Sequence, residues 1–196
     1  MTIRILTIML AFAVVLLLCA CSPNALDSIA HKGIDAKTVS FDSLEEMEDF
    51  SSLIVIGVRM DDDETILLSE EGRVYGGFTY SNFKITKIFK DKTETVKEND
   101  IITILENEFY DSEQRTVFHL AGYNMMVEGN EYLLFLDKAK YNGKDYYVSS
   151  GVNFGTVSLQ DDNRTIARFN ERGNEVSNFS YFEEIWQQAL DKYKIS

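Results

Sequence analysis

The stretch from Tyr132 to Tyr147, YLLFLDKAKYNGKDYY, decides the fold class of this chain. Its first five residues are apolar, which is typical of a strand buried on both faces. Asn142 and Gly143 follow, and both accept the positive φ of the tight turn that joins two antiparallel strands. We therefore predict a β-hairpin in which 131–140 pairs with 144–149, within a fold that is mainly β.

Short apolar runs on both sides of this hairpin predict further strands. On the N-terminal side they cover 53–58, 65–68, a long segment from Tyr75, 101–105, 116–120 and 125–127. The alternation in the long segment slips at Lys87, Ile88 and Phe89, which predicts a β-bulge. On the C-terminal side, 152–159 and 165–169 predict one more hairpin.

Two capping-box patterns predict helices at either end of this β region. Asp42 with Glu45 predicts a short helix over 43–50, and Ser180 with Glu183 predicts the start of a second. Helical spacing over 182–193 gives the second helix an apolar stripe, which we expect to pack on the sheet, although a face that binds a partner would look the same. The predicted fold class is mainly β (α+β), a small antiparallel β-barrel or OB-like sheet with these two helices.

The N-terminal segment has the layout of an export signal. Arg4 precedes an apolar run from Ile5 to Leu18 that only Thr7 interrupts. A spanning helix needs about 20 apolar residues, and this run is shorter. An uncleaved membrane anchor is the alternative.

The residues that end the run, Leu18-Cys19-Ala20-Cys21, resemble the lipobox of bacterial lipoproteins. The resemblance implies cleavage before Cys21, lipid attachment to that cysteine, and a protein held on the extracytoplasmic face of the cell membrane, at a Gram-positive cell surface. Two or more acyl chains would make this anchor stable. We expect a signal peptide over 1–20, a tether over 21–40 and one domain over 41–196.

The charge of the chain excludes several kinds of partner. The net charge is −13, and loss of residues 1–20 would remove only Arg4, one of 19 basic residues, to give −14. An acidic surface argues against nucleic acid and against anionic lipid head groups as ligands.

The counts of cysteine and histidine limit the chemistry of the predicted domain. Both cysteines lie before residue 22, so the domain has no thiolate metal site or disulfide. His31 and His119 are the only imidazoles, too few for a multi-histidine zinc centre. We interpret His31 as a linker residue and His119 as a structural residue of its strand.

No pattern of residues identifies a catalytic site or a cofactor. A nucleophile elbow and a phosphate-binding glycine loop are both missing from the sequence. Asp61, Asp63 and Glu64 could supply oxygens to Ca²⁺, but without EF-hand spacing a solvated hairpin tip is favoured. We expect no cofactor, and the chain is more consistent with a protein that is not an enzyme.

Tyrosines are the residues that indicate recognition. Tyrosine offers rigid contact area with a polar tip, which suits binding surfaces. We therefore single out Tyr75, Tyr80, Tyr123 and Tyr146 as candidates for ligand binding. The alternative is that they cover the edges of the core.

The order of strands from 53 to 150 resembles a known class of small barrels. It is carried by IVIGV from Ile54, FKITKIFK from Phe83, IITI from Ile101 and GNEYLLFL from Gly129. These segments look like the OB-fold of the tissue-inhibitor-of-metalloproteinases and netrin type in secreted Gram-positive proteins. Inhibitors of that type bind zinc through a free N-terminal cysteine, so acylation of Cys21 would prevent that mechanism.

Three functions follow as hypotheses. The first is an anchored module that binds a protein or a small molecule near the membrane. The second is an extracytoplasmic hydrolase using carboxylates, and the third is an immunity or inhibitor lipoprotein.

Overall fold

The computed structural model describes residues 29–61, 63–160, 168–169, 175–176 and 180–193. The predicted signal segment and Cys21 lie outside these residues. Within them, none of the helices combines the length and the apolar character needed to cross a bilayer.

The fold is mainly β with two helices, as the sequence predicts. The helices are α1 (Leu44–Phe50) and α2 (Ser180–Tyr193). The strands are β1 (Ala30–Ile34), β2 (Leu53–Arg59), β3 (Glu64–Glu70), β4 (Arg73–Asp91), β5 (Ile101–Glu106), β6 (Glu108–Asp111), β7 (Thr116–Leu120), β8 (Glu131–Tyr141), β9 (Lys144–Ser149), β10 (Thr156–Ser158), β11 (Arg168–Phe169) and β12 (Glu175–Val176).

The main sheet is mixed. Its strands pair in the order β10-β8-β2-β4-β5-β9, β3 pairs with β4, and β9 also pairs with β8. The β5–β9 pairing is parallel and the other pairings of this sheet are antiparallel. A second sheet, β1-β7-β6, contains the parallel pair β1–β7.

The predicted hairpin of 131–140 with 144–149 is confirmed. Strands β8 and β9 are antiparallel and joined by Asn142 and Gly143, with φ values of 47° and 84°. In β8 the apolar run is buried on both faces: Leu133 and Phe135 pack towards the helices, and Leu134 packs into the interior of the sheet.

The core therefore has two layers that share the central strands. One layer lies between the sheet and the helices and includes Phe41, Met47, Ile54, Phe135, Trp186 and Ala189. The other lies inside the sheet and includes Leu53, Val55, Phe83, Ile85, Ile104 and Leu134. Alternate residues of β2 and β8 enter opposite layers, which explains their continuous apolar sequence.

The predicted bulge in β4 is confirmed, with a second one close by. Pairing with β2 skips Phe89 and then Thr86. At the second skip, a Cβ on Gly57 would lie 2.2 Å from the carbonyl oxygen of Lys84. Only glycine allows β4 to approach β2 so closely there.

The first capping box was predicted one residue too early. Ser43, not Asp42, is the N-cap of α1: its Oγ accepts from the Glu46 amide at 3.2 Å, and Glu46 accepts from the Asp42 amide at 2.8 Å. Asp42 and Ser43 are neighbouring candidates for the N-cap, and each is followed three residues later by a glutamate. The helix begins after Ser43, with Leu44 and Met47 buried in the core.

The strand prediction at 125–127 was wrong. The amides of Met125 and Val127 bond to the side chains of Glu108 and Tyr132, which replaces a strand ladder. Within 152–159 only β10 is a strand, and it pairs with β8, while the described part of 165–169 is β11, which pairs with β12. Residues 161–167 lie outside the described part of the chain.

Two strands were missed. β1 lies within the segment that we predicted as tether, and it pairs with β7 along its whole length. β6 follows β5 after a single residue, Asn107. Both are too short for their periodicity to be recognised in the sequence.

Candidate functional site

The side chains of strand β4 alternate between the two faces of the main sheet. Thr79, Ser81, Phe83 and Ile85 alternate inward and are buried. Phe78 and Tyr80 point to the opposite, outer face, because successive side chains of a strand alternate. On β9, Tyr147 joins the interior core while Tyr146 lies on the outer face beside Tyr80.

Phe78, Tyr80 and Tyr146 form what we call the aromatic surface. The ring centroids of Phe78 and Tyr80 are 5.0 Å apart at an interplanar angle of 71°, and those of Tyr80 and Tyr146 are 5.4 Å apart at 55°. Both contacts are within the range of favourable edge-to-face and tilted packing.

The polar groups at this surface come from two hairpins. Lys144, directly after the Asn142-Gly143 turn, places Nζ 4.0 Å from the Tyr80 ring centroid and 2.7 Å from Glu64 Oε2. Burial raises the pKa of the Tyr80 hydroxyl, and the neighbouring Tyr146 and Glu64 add to this effect. The Tyr80 side chain is buried, its phenol is neutral, and its ring face contacts the Lys144 ammonium group.

The structure brings together two of the four candidate tyrosines. Tyr80 and Tyr146 meet, whereas Tyr75 lies at the irregularity of the β3–β4 hairpin and is 68% exposed. Tyr123 is buried and belongs to another group of side chains. Ligand binding by these tyrosines stays a prediction.

That other group is a buried polar cluster of Ser81, Glu106 and Tyr123. Ser81 Oγ donates to Glu106 Oε1 at 2.7 Å, and the Tyr123 hydroxyl donates to Oε2. Burial raises the pKa of Glu106 to about 7, although hydrogen bonds from Tyr123 and Ser81 oppose the rise. Burial, together with the charge of Glu106, likewise raises the pKa of Tyr123.

His119 lies next to this cluster and links it to β1. Its Nδ1 is 2.9 Å from the Tyr123 carbonyl oxygen and 3.0 Å from Glu108 Oε2, so Nδ1 bears a hydrogen because both neighbours are acceptors. Its Nε2 is 2.8 Å from His31 Nδ1. The structural role predicted for His119 agrees with its burial, and His31 is bonded to it across the β1–β7 pair.

The three calcium candidates do not gather around one point. Asp63 pairs with Arg59, and Glu64 pairs with Lys144. No group of three metal-ligating side chains occurs among the described residues, which omit Asp62. The carboxylates at this tip serve as partners for cationic side chains.

The two groups differ in what they can do chemically. Glu106 is fully buried, so it contacts no substrate unless Tyr123 and Met126 move. The aromatic surface has ring faces and a charged pair at the solvent boundary, and Lys144 is 44% exposed. Of the two, the aromatic surface is the one suited to recognition.

Glu106, Ser81 and Lys144 were not predicted as site residues from the sequence. Ile102, Ile104 and Glu106 share the inward phase of β5, so a carboxylate at a core position was a detectable signal. Lys144 carries no such signal, because its role depends on how two hairpins distant in sequence pack together.

Comparison with protein-family models gives no match, and comparison with curated proteins gives none either.

Proposed function

We propose that this chain is a lipid-anchored extracytoplasmic binding module that captures its ligand on the aromatic surface. The observation that carries the proposal is the contact of Phe78, Tyr80 and Tyr146 on the outer face of the main sheet. OB-folds bind ligands on the face of their second and third strands and at the loops that flank it. By the resemblance to an OB-fold, strands β4 and β5 and the β8–β9 turn would have those positions here.

The fold supplies the support that such a surface needs. Tyr80 and Phe78 stand on the sheet opposite Glu64 and Ile66, so their spacing is fixed by a β-ladder and not by a loop. Rigid aromatic side chains bind with little loss of conformational entropy.

The location is supported by the lipobox at Leu18-Cys19-Ala20-Cys21. A Cys21→Ser variant tests it. We expect the wild-type protein in the membrane fraction and the variant in the soluble fraction after cell breakage. Retention of the variant in the membrane would show that the anchor is not the lipid on Cys21.

Binding is tested on a soluble fragment of residues 22–196, which keeps β1. A thermal-shift and NMR screen against small molecules and soluble cell-envelope components should find a ligand whose binding is lost in Tyr146→Ala. Tyr75→Ala is the matched control, because it removes an exposed ring that lies on β4 about 16 Å from Tyr80. A ligand that binds equally to both variants would refute the proposal.

The second candidate is a hydrolase that uses carboxylates, and the raised pKa of Glu106 favours it. Its burial opposes it. Turnover of any ester, amide or glycoside substrate that disappears in Glu106→Gln would establish this alternative. Substrate turnover without binding at the aromatic surface would replace the first proposal with it.

A further inference from the structure

The ammonium group of Lys144 occupies a site made by other residues of the aromatic surface. Its Nζ lies 4.0 Å from the centroid of the Tyr80 ring and 2.7 Å from Glu64 Oε2. Phe78 and Tyr146 pack against Tyr80 on either side, at 5.0 and 5.4 Å between centroids. A cation over an aromatic face with a carboxylate beside it is the arrangement by which proteins bind organic ammonium groups.

The ring and the carboxylate of the site belong to one hairpin of the sheet, β3–β4, whereas the occupant comes from another hairpin, β8–β9. Glu64 and Tyr80 are directly opposed in the β3–β4 ladder, so the carboxylate and the ring keep their positions without Lys144. Lys144 reaches the site from the β8–β9 turn on a flexible side chain, and it is 44% exposed. Exposed ion pairs hold their partners weakly, so an external cation can displace this side chain.

The composition of the site selects the class of cation. Metal ions such as Ca²⁺ require several oxygen ligands, and here the ammonium group of Lys144 contacts one carboxylate, that of Glu64, and the Tyr80 ring. A large, weakly hydrated organic cation loses less hydration and gains more from ring faces. The net charge of −13 also concentrates cations near the surface.

We propose that the aromatic surface binds small organic ammonium compounds, and that Lys144 is a built-in competitor for the same position. This inference rests on the proposed function, since it names the ligand class of that surface. The apparent affinity for an external cation equals the affinity of the free site multiplied by the fraction of molecules in which Lys144 does not fill it.

Titration of the 22–196 fragment with tetramethylammonium and with n-butylammonium tests the proposal, with NMR shifts of residues around Tyr80 as the readout and NaCl as the ionic-strength control. We expect Lys144→Ala to bind tetramethylammonium about fivefold more tightly than wild type, as for a site that Lys144 fills about four-fifths of the time. Lys84→Ala is the matched control: Lys84 is an exposed lysine on β4, four residues from Tyr80, and its removal changes the net charge equally.

Two further variants establish the role of the site itself. Adding Tyr80→Leu or Glu64→Gln to Lys144→Ala should weaken tetramethylammonium binding at least fivefold. Glu64 is exposed, so its substitution tests the site even if Tyr80→Leu does not fold.

The inference is overturned if Lys144→Ala binds no more tightly than wild type, or if Lys84→Ala gains as much. Failure of both ammonium probes, with some other ligand still lost in Tyr146→Ala, would refute the ligand class and leave the binding module standing. Ligand binding that is insensitive to Tyr146→Ala would refute both.

Discussion

At the scale of single residues, Glu106 has the most unusual environment. A carboxyl group in the interior layer accepts hydrogen bonds from Ser81 and Tyr123 and has a pKa of about 7. The unfolded chain holds this group near its ordinary value of 4.5. Folding therefore favours the protonated form.

This predicts a pH-dependent contribution to stability. Because the pKa of Glu106 is raised by folding, its contribution is complete below about pH 4.5 and is lost as the pH rises through about 7. The free energy of unfolding of wild type, relative to Glu106→Gln, should fall by about 3 kcal/mol across this range. Urea unfolding from pH 4.5 to 8 measures it.

Glu98→Gln is the control for this experiment, since Glu98 is an exposed residue of a turn. Its stability should follow that of wild type at every pH. A constant difference between wild type and Glu106→Gln would show that folding does not shift the pKa of this carboxyl group.

At the scale of elements, the indole of Trp186 contributes to the packing of helix α2 on the sheet. Trp186 is buried, and its Nε1 donates to the Phe154 carbonyl oxygen at 2.9 Å. Trp186→Phe removes this hydrogen bond and leaves a small cavity, so we expect a loss of about 2 kcal/mol. Urea unfolding followed by circular dichroism measures this, because the only tryptophan is removed.

Tyr75→Phe serves as the comparison for Trp186→Phe, since it changes an exposed aromatic residue of the hairpin. It should alter the free energy of unfolding by less than about 0.5 kcal/mol. If both variants were equally stable, Trp186 would not hold the helix.

Strand β1 gives a second prediction at this scale. It covers β7 through a parallel ladder, and His31 bonds to His119 across the pair. A fragment of residues 41–196 should be about 2 kcal/mol less stable than 22–196, because several ladder hydrogen bonds are lost. Hydrogen exchange should show that protection falls in the β7 amides that bond to β1 and stays in β8; unchanged protection in β7 would contradict the role of β1.

The elements that sequence predicts well are those with strong periodicity. The hairpin of β8 and β9, the helix α2 and the bulge of β4 all follow from side-chain spacing and turn residues. By contrast, β1 has four exposed or half-buried residues out of five, so it lacks any apolar pattern. Its position is set by β7, about 86 residues away.

The candidate site was likewise predictable only where residue type or local pattern is sufficient. Tyr80 and Tyr146 could be selected by residue type, but their contact depends on how β4 and β9 are placed around β5. The pairing of Lys144 with Glu64 spans 80 residues of sequence. Long-range contacts of this kind leave no local signature.

At the scale of the whole molecule, the excess of acidic residues opposes folding. The net charge of −13 creates self-repulsion that added salt screens. We expect the free energy of unfolding at pH 7.5 to rise by about 1 kcal/mol between 20 mM and 0.5 M NaCl. An equal rise near pH 4.6, the isoelectric pH of the sequence, would contradict a charge effect.

The docking of β1 on β7 also sets how far the protein can search for its ligand. With Cys21 acylated as we propose, nine residues separate the lipid from Ala30, and fully extended they reach at most about 30 Å. A tether that began its domain at residue 41 would reach about twice as far. The short tether keeps the aromatic surface close to the bilayer. The concentration of molecules near the membrane, and not that in the surrounding medium, therefore determines which ligands it binds.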